Sequence, residues 1–237
     1  MSPSAPNRSP QAHLTAGDLT ALVERAGRLM ARPGRTVLGI VGAPAAGKST
    51  LAALLTRELG PRAALLPMDG YHLANSVLEA LGRRDRKGAP DTFDASGYAA
   101  LLRRLRDTDT GPGADAGTET VYAPRFHREI EESIAGEIAI GPEVRLVITE
   151  GNYLLLPQGP WARIRPLLDE SWYVEPDEPL RLRRLVARHI EFGKSPRAAH
   201  AWAHGTDQRN AETIASTRPH ADLVVRLTEN DGAPAAR

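Results

Sequence analysis

The sequence predicts an α/β protein with a parallel β-sheet flanked by helices and a small helical lid, and three observations predict it. The apolar segment Val37-Leu38-Gly39-Ile40-Val41 runs directly into a glycine-bearing turn and then into a helical pattern. Further apolar, strand-like segments recur at residues 63–67, 144–149, 171–174 and 221–227. Stretches with helical spacing separate them, and strands that alternate with helices form a parallel sheet covered on both faces.

The elements follow in chain order. Residues 1–13 are expected to be a flexible N-terminus, because the start is rich in Pro, Ser and Asn and has no apolar core. Leu14, Leu19, Leu22, Val23, Ala26 and Leu29 fall at roughly helical spacing, and Pro33-Gly34 stops that helix before the first strand. After the strand comes Gly42-Ala43-Pro44-Ala45-Ala46-Gly47-Lys48-Ser49-Thr50. Gly42 and Gly47 can take backbone angles that a side chain would obstruct, so the loop can wrap an anion and turn its N–H groups inward. Those of Ala43, Ala45 and Ala46 belong to the cradle; Pro44 contributes none. Lys48 is expected to reach the outer phosphates of a nucleotide and the Ser49 hydroxyl to ligate Mg²⁺, with Thr50 beside them as the helix dipole begins. This spacing predicts the three-layer P-loop NTPase fold and the use of a nucleoside triphosphate.

The segment 63–67 is a second strand, delivering Asp69 at its C-terminal end, where parallel sheets place ligand-contacting loops. A helix over residues 75–81, a polar loop over 83–90 and a helix capped by Asp94 with Leu101, Leu102 and Leu105 inward come next. Residues 107–120, rich in Gly, Asp and Thr without periodicity, read as a mobile surface connection. Glu150 directly follows the strand 144–149. Either acid suits phosphoryl chemistry: Asp69 as the base that takes a hydroxyl proton or as a Mg²⁺ holder, Glu150 as a carboxylate that positions the metal. In residues 179–192, about 100° per residue puts Leu182, Leu185, Val186 and His189 on one stripe and Arg181, Arg184 and Arg188 beside it. A closing helix with an arginine edge can stabilise charge on a transferring phosphoryl group. His200, Trp202 and His204 read as surface or packing residues.

Composition narrows the function classes. The 237 residues suffice for one domain, expected over 14–227 with its lid at 178–205 and a frayed tail at 228–237. With 30 basic residues, 29 acidic ones and a formal charge of +1, nothing in the charge balance calls for a nucleic acid or an anionic membrane as partner. Zero cysteines exclude disulfides and thiolate metal sites, and no apolar run approaches a membrane span. Cytoplasm is the expected location.

Four motifs carry a family resemblance: residues 67–73 (Pro-Met-Asp-Gly-Tyr-His-Leu), 86–94 (Arg-Lys-Gly-Ala-Pro-Asp-Thr-Phe-Asp), 122–127 (Tyr-Ala-Pro-Arg-Phe-His) and 149–155 (Thr-Glu-Gly-Asn-Tyr-Leu-Leu). In order and spacing they resemble the phosphoribulokinase/uridine kinase family of P-loop kinases, nearest the prokaryotic-type pantothenate kinase and related nucleoside or sugar kinase branch. The resemblance implies ATP and Mg²⁺ as cofactors and transfer of phosphate to an alcohol of a nucleoside, pantothenate-like or sugar-like small molecule, with homodimers common among relatives. It implies Asp69 as base, Glu150 in the metal and phosphate region, and Arg188, then Arg184, as lid arginines. It assigns Tyr71, His72, Lys87, Phe93, Tyr122, Arg125, His127 and Asn152 to the acceptor pocket and Asn210 to the adenine side; Phe126, with Tyr122, offers a ring for packing against a base or pantetheine-like chain. The competing class is a nucleotide-dependent switch or regulatory ATPase without an acceptor. No Asn-Lys-x-Asp motif supports a GTPase, and no Leu-Ser-Gly-Gly-Gln segment supports a transporter ATPase.

Overall fold

The computed structural model describes residues 12–15, 19–107 and 119–226. Residues 1–11 of the expected N-terminal tail, the expected tail at 228–237 and most of the 107–120 connection therefore lie outside the described residues, whereas Ala12 and His13 belong to a strand. Six strands, β1 (Ala12–Thr15), β2 (Thr36–Val41), β3 (Ala63–Pro67), β6 (Leu146–Gly151), β7 (Glu170–Glu175) and β8 (Leu223–Arg226), form one sheet in the order β1-β8-β7-β2-β6-β3. Every pairing in it is parallel. The chain passes from β2 across β6 to β3 and returns from β6 across β2 to β7, so connections leave the central strands in opposite directions. A crevice opens at such a reversal, beyond the strands' C-terminal ends.

The strand pattern explains the layers. In β2, Leu38 and Ile40 face a core built with Leu22, Ala26 and Leu29 of α1 (Leu19–Met30) and Leu51, Ala52 and Leu55 of α2 (Lys48–Leu59). Val37 and Val41 face the other core, shared with Tyr98, Leu102 and Leu105 of α4 (Ala95–Asp107). All six residues of β2 are buried, as expected for a strand covered on both faces. Asp94 caps α4: its Oδ1 accepts a hydrogen bond from the Gly97 N–H at 2.7 Å. The remaining helices are α3 (Asn75–Ala80), α5 (Glu178–Glu191), α6 (Pro196–His204) and α7 (Thr206–Ala215). Among the described residues, no helix is long and apolar enough to cross a membrane.

Three expectations are corrected. Leu14 belongs to β1, which pairs with β8, and α1 begins only at Leu19. Val144 and Arg145 precede β6, which instead runs through Glu150 to Gly151. An antiparallel hairpin of β4 (Val121–His127) and β5 (Glu132–Ile140) forms a separate two-stranded sheet that is not among the expected strands. Pro124 and a register shift between Ala123 and Arg125 interrupt its alternation, and only one face of it joins the core, through Val121, Ala123, Ile138 and Ile140.

Candidate active site

The glycine loop lies between β2 and α2 and is held by backbone geometry. Ala45 and Gly47 both have positive φ, 64° and 95°, which turns the chain around the loop's interior. At Gly42 a Cβ would stand 2.8 Å from the Val174 carbonyl oxygen, so the loop can pass β7 only without a side chain there. Ala45, Gly47, Lys48, Ser49 and Thr50 line a cavity of about 780 Å³. Gly42, Ala43 and Ala46 are buried behind them. The Ala46 N–H donates to the Ala43 carbonyl at 3.1 Å, which removes it from the set facing the cavity. Lys48 Nζ donates to the same carbonyl at 3.0 Å. Burial pushes its ammonium pKa down to about 8, against the opposing pull of Glu150 and Asp69.

Neighbouring strands bring the two acids to the same cavity. Pro67 at the end of β3 pairs with Glu150 on β6, and Asp69 follows two residues later. Ser49 Oγ donates to Glu150 Oε1 at 3.0 Å. Burial raises the Glu150 carboxyl, an effect that Lys48 opposes. Burial also acts to raise Asp69, but His72, Arg128, Lys48 and Arg188 together outweigh it and hold that carboxyl low, as an anion. Arg128 Nη2 donates to Asp69 Oδ2 at 3.1 Å.

A metal fits this arrangement. The Ser49 hydroxyl and the Glu150 and Asp69 carboxylates are hard oxygen donors beside an anion-binding loop, and Mg²⁺ needs only one or two protein ligands when phosphates and water complete its shell. Among the described residues no group of three or more His, Cys, Asp or Glu side chains is set to hold a metal by itself.

The far end of the cavity is aromatic. The His72 ring lies 4.0 Å from Phe93 and 4.5 Å from Phe126, centroid to centroid. His72 Nδ1 donates to the Asp69 carbonyl at 2.8 Å, and burial lowers the imidazole's pKa against the opposing pull of Asp69. Lys87 and Asn152 also line the cavity. Lys87 Nζ is already engaged, donating to Asn75 Oδ1 at 2.7 Å and to the Glu131 carbonyl, and so clips its loop to the hairpin turn.

Four of the expected acceptor residues are not brought to the cavity. Tyr71 packs on Tyr98 at 5.0 Å and joins the core. Tyr122 is 59% exposed on the outer face of the hairpin. Beyond the register shift Arg125 and His127 also face outward, where Arg125 Nε pairs with Glu137 at 3.0 Å. His127 bridges Glu129 at 2.8 Å and Glu137 at 2.5 Å, and these hydrogen bonds raise its pKa. Of residues 121–128, Phe126 and Arg128 line the cavity, and Glu131 lines it from the turn that follows. Period-two alternation through residues 121–128, read with allowance for the shift at Pro124, is the signal that finds the first two.

Helix α5, expected to belong to a lid, separates its arginines. Arg181 is buried and structural: it donates to Glu178 Oε2 at 2.8 Å, to Gln208 Oε1 at 2.6 Å and to the Pro44 carbonyl at 3.4 Å. Arg184 and Arg188 line the same cavity as the acids, and burial lowers the Arg188 pKa, with Arg128 acting in the same sense. Asn210 of α7 is buried and lines it too. Trp202, expected at the surface or in packing, also reaches the cavity, beneath Lys194 Nζ at 4.7 Å from its ring centroid. His200 and His204 stack on each other at 4.1 Å and line a separate groove with Leu182 and Val186.

Comparison with known proteins agrees with this geometry. No family model matches the chain. A curated relative from Aspergillus versicolor, an ATP-dependent kinase-like protein, is 39% identical over 157 residues, which cover 64% of this chain and 88% of that protein. A Schizosaccharomyces pombe protein provisionally named a uridine kinase is 33% identical over 182 residues, 73% of this chain and 74% of its own. A crystal structure from Silicibacter sp., provisionally named a fructose transport system kinase, matches with a TM-score of 0.76 and 37% identity, covering 87% of this chain and 98% of that one.

Proposed function

This chain belongs to the phosphoribulokinase/uridine kinase family of P-loop kinases, and we propose that it uses Mg²⁺ and ATP to phosphorylate an alcohol group of a nucleoside, pantothenate-like or sugar-like small molecule. One observation carries this reading: the phosphate-binding loop and the Asp69 carboxylate line the same cavity, which continues past Asp69 into the wall formed by His72, Phe93 and Phe126.

The residues divide the work by chemistry. The loop amides and Lys48 hold the outer phosphates, while Asp69, kept anionic by its cationic neighbours, accepts the proton of the attacking hydroxyl. Ser49 and Glu150 would hold Mg²⁺, which supplies charge neutralisation on the phosphate oxygens. Arg188 and Arg184 face the transferring group from the lid and favour its spread negative charge. The rings give an acceptor apolar contact, and His72 Nε2 and Asn152 offer it hydrogen bonds. Such a wall has no use in a switch that transfers phosphate to water alone.

The test is ADP release with Mg-ATP against a panel of uridine, cytidine, pantothenate, ribose, fructose and related alcohols, with Lys48→Ala as blank. ADP formation that depends on one acceptor class supports the proposal; release indifferent to every acceptor favours the switch.

A further inference from the structure

Arg128 is the cation nearest the proposed base, and a built surface delivers it there. It occupies the turn between β4 and β5, and that turn is fastened from outside the hairpin. The Asn75 N–H donates to Glu132 Oε1 at 2.9 Å and Asn75 Nδ2 to the Glu131 carbonyl at 3.1 Å. Lys87 Nζ bonds the same carbonyl. On the strand itself, the Pro124 carbonyl passes so close to Gly70 that a Cβ there would lie 2.2 Å from its oxygen. Fixed in this way, the turn sets Arg128 Nη2 3.1 Å from Asp69 Oδ2.

We propose that Arg128 is a positioning residue that occupies Asp69 Oδ2 while no acceptor is bound and yields that oxygen to the acceptor's hydroxyl, so that water is a poor substitute for the acceptor. The inference rests on Asp69 being the base of the kinase reaction proposed above. In that reaction the acceptor oxygen bonds to the γ-phosphorus, the bond from that phosphorus to the bridging oxygen breaks, ADP leaves, and the hydroxyl proton passes to Asp69. With water as attacker the same bonds form and break, and inorganic phosphate is the product. Only the attacking group differs, so control must act on its access to Asp69.

The exposure of the pair suits a bond that has to open. Arg128 and Asp69 side chains are 41% and 28% exposed, and ion pairs this accessible contribute little to stability. Displacing Arg128 is therefore a small cost for an acceptor held by the His72, Phe93 and Phe126 wall, whose contacts supply binding energy remote from the reacting atoms. Water makes no such contacts. Lys48, His72 and Arg188 also face Asp69, from α2, the turn after β3 and the lid, with Glu150 the neighbouring anion, so the carboxylate remains charged when Arg128 moves aside.

The experiment measures ADP release from Mg-ATP without acceptor in the full chain, for the parent, Arg128→Gln, Arg128→Lys and Arg128→Gln combined with Asp69→Asn. The expected result is a rise of about tenfold in Arg128→Gln, the scale of losing one charge-assisted hydrogen bond, with the KM for ATP unchanged. Arg128→Lys returns the rate to near the parent's, and the double variant loses the rise. An unchanged or lower rate in Arg128→Gln, or a rise that persists without Asp69, overturns the inference. If no alcohol in the panel is phosphorylated, the kinase proposal fails by that separate result, while the acceptor-free rates still read Arg128.

Discussion

Ser49 Oγ donates to Glu150 Oε1 at 3.0 Å, joining the first turn of α2 to the end of β6 at one oxygen-rich point. If this point holds the metal, Glu150→Gln raises the Mg²⁺ concentration needed for half-maximal turnover by about tenfold or more. Ser49→Ala does the same, and the double variant falls short of the summed effects because the two groups act on one ion. Metal titrations of ADP release at saturating ATP check this; unaltered Mg²⁺ dependence in both single variants removes the pair from the metal site.

Lys48 gives a pH dependence with a definite sign. Its pKa, pushed down to about 8 by burial, means that the charged form that pairs with phosphate is lost as pH rises through that value. ATP affinity therefore declines above about pH 8, by up to about tenfold per pH unit, and binding takes up a proton there. Below pH 7 the lysine is already charged and no such uptake occurs. Calorimetry in two buffers of different ionisation heat measures the proton count, and Lys48→Arg abolishes the slope. Constant affinity between pH 6.5 and 9 contradicts the assignment.

Gly70 tests the fastening of the hairpin. An alanine Cβ would meet the Pro124 carbonyl oxygen at 2.2 Å, and a backbone atom cannot swing away as a side-chain end can. Gly70→Ala is expected to destabilise the protein by about 1–3 kcal/mol, the cost of forced overpacking, and to loosen the turn that bears Arg128. Denaturant unfolding reads the first effect and amide exchange at residues 128–132 the second. Wild-type stability with undisturbed exchange would mean that the close approach is unimportant.

Much of this architecture was legible because the relevant signals are local. Apolar residues 37–41 are buried on both faces, so they read as a strand without knowledge of their neighbours, and Gly42 with Gly47 marks the loop by backbone demand alone. Asp69 and Glu150 were found because strand ends in a parallel sheet converge. The hairpin was hidden: Pro124 and the register shift break its alternation, and its outer face carries Tyr122, Arg125 and His127, polar residues that resemble a binding wall when read in line. Which of two adjacent residues faces a cavity depends on that one-residue shift, so the motif read in line points to Arg125 and His127 beside the ring of Phe126 and misses Arg128. Helix α5 shows a similar limit. Helical spacing groups Arg181 with Arg184 and Arg188, but Gln208 and the Pro44 carbonyl, distant in sequence, take Arg181 into the interior.

In the proposed reaction Asp69 activates an acceptor hydroxyl in the cavity it shares with the Lys48 loop. Acceptor phosphorylation by Asp69→Asn, measured beside its ATP affinity, tests this most directly. The amide keeps the shape of the side chain but is a far weaker proton acceptor, so turnover should fall by about 100-fold or more, the usual contribution of a general base, with ATP affinity within a few-fold of the parent's. Turnover equal to the parent's at saturating acceptor would contradict the claim.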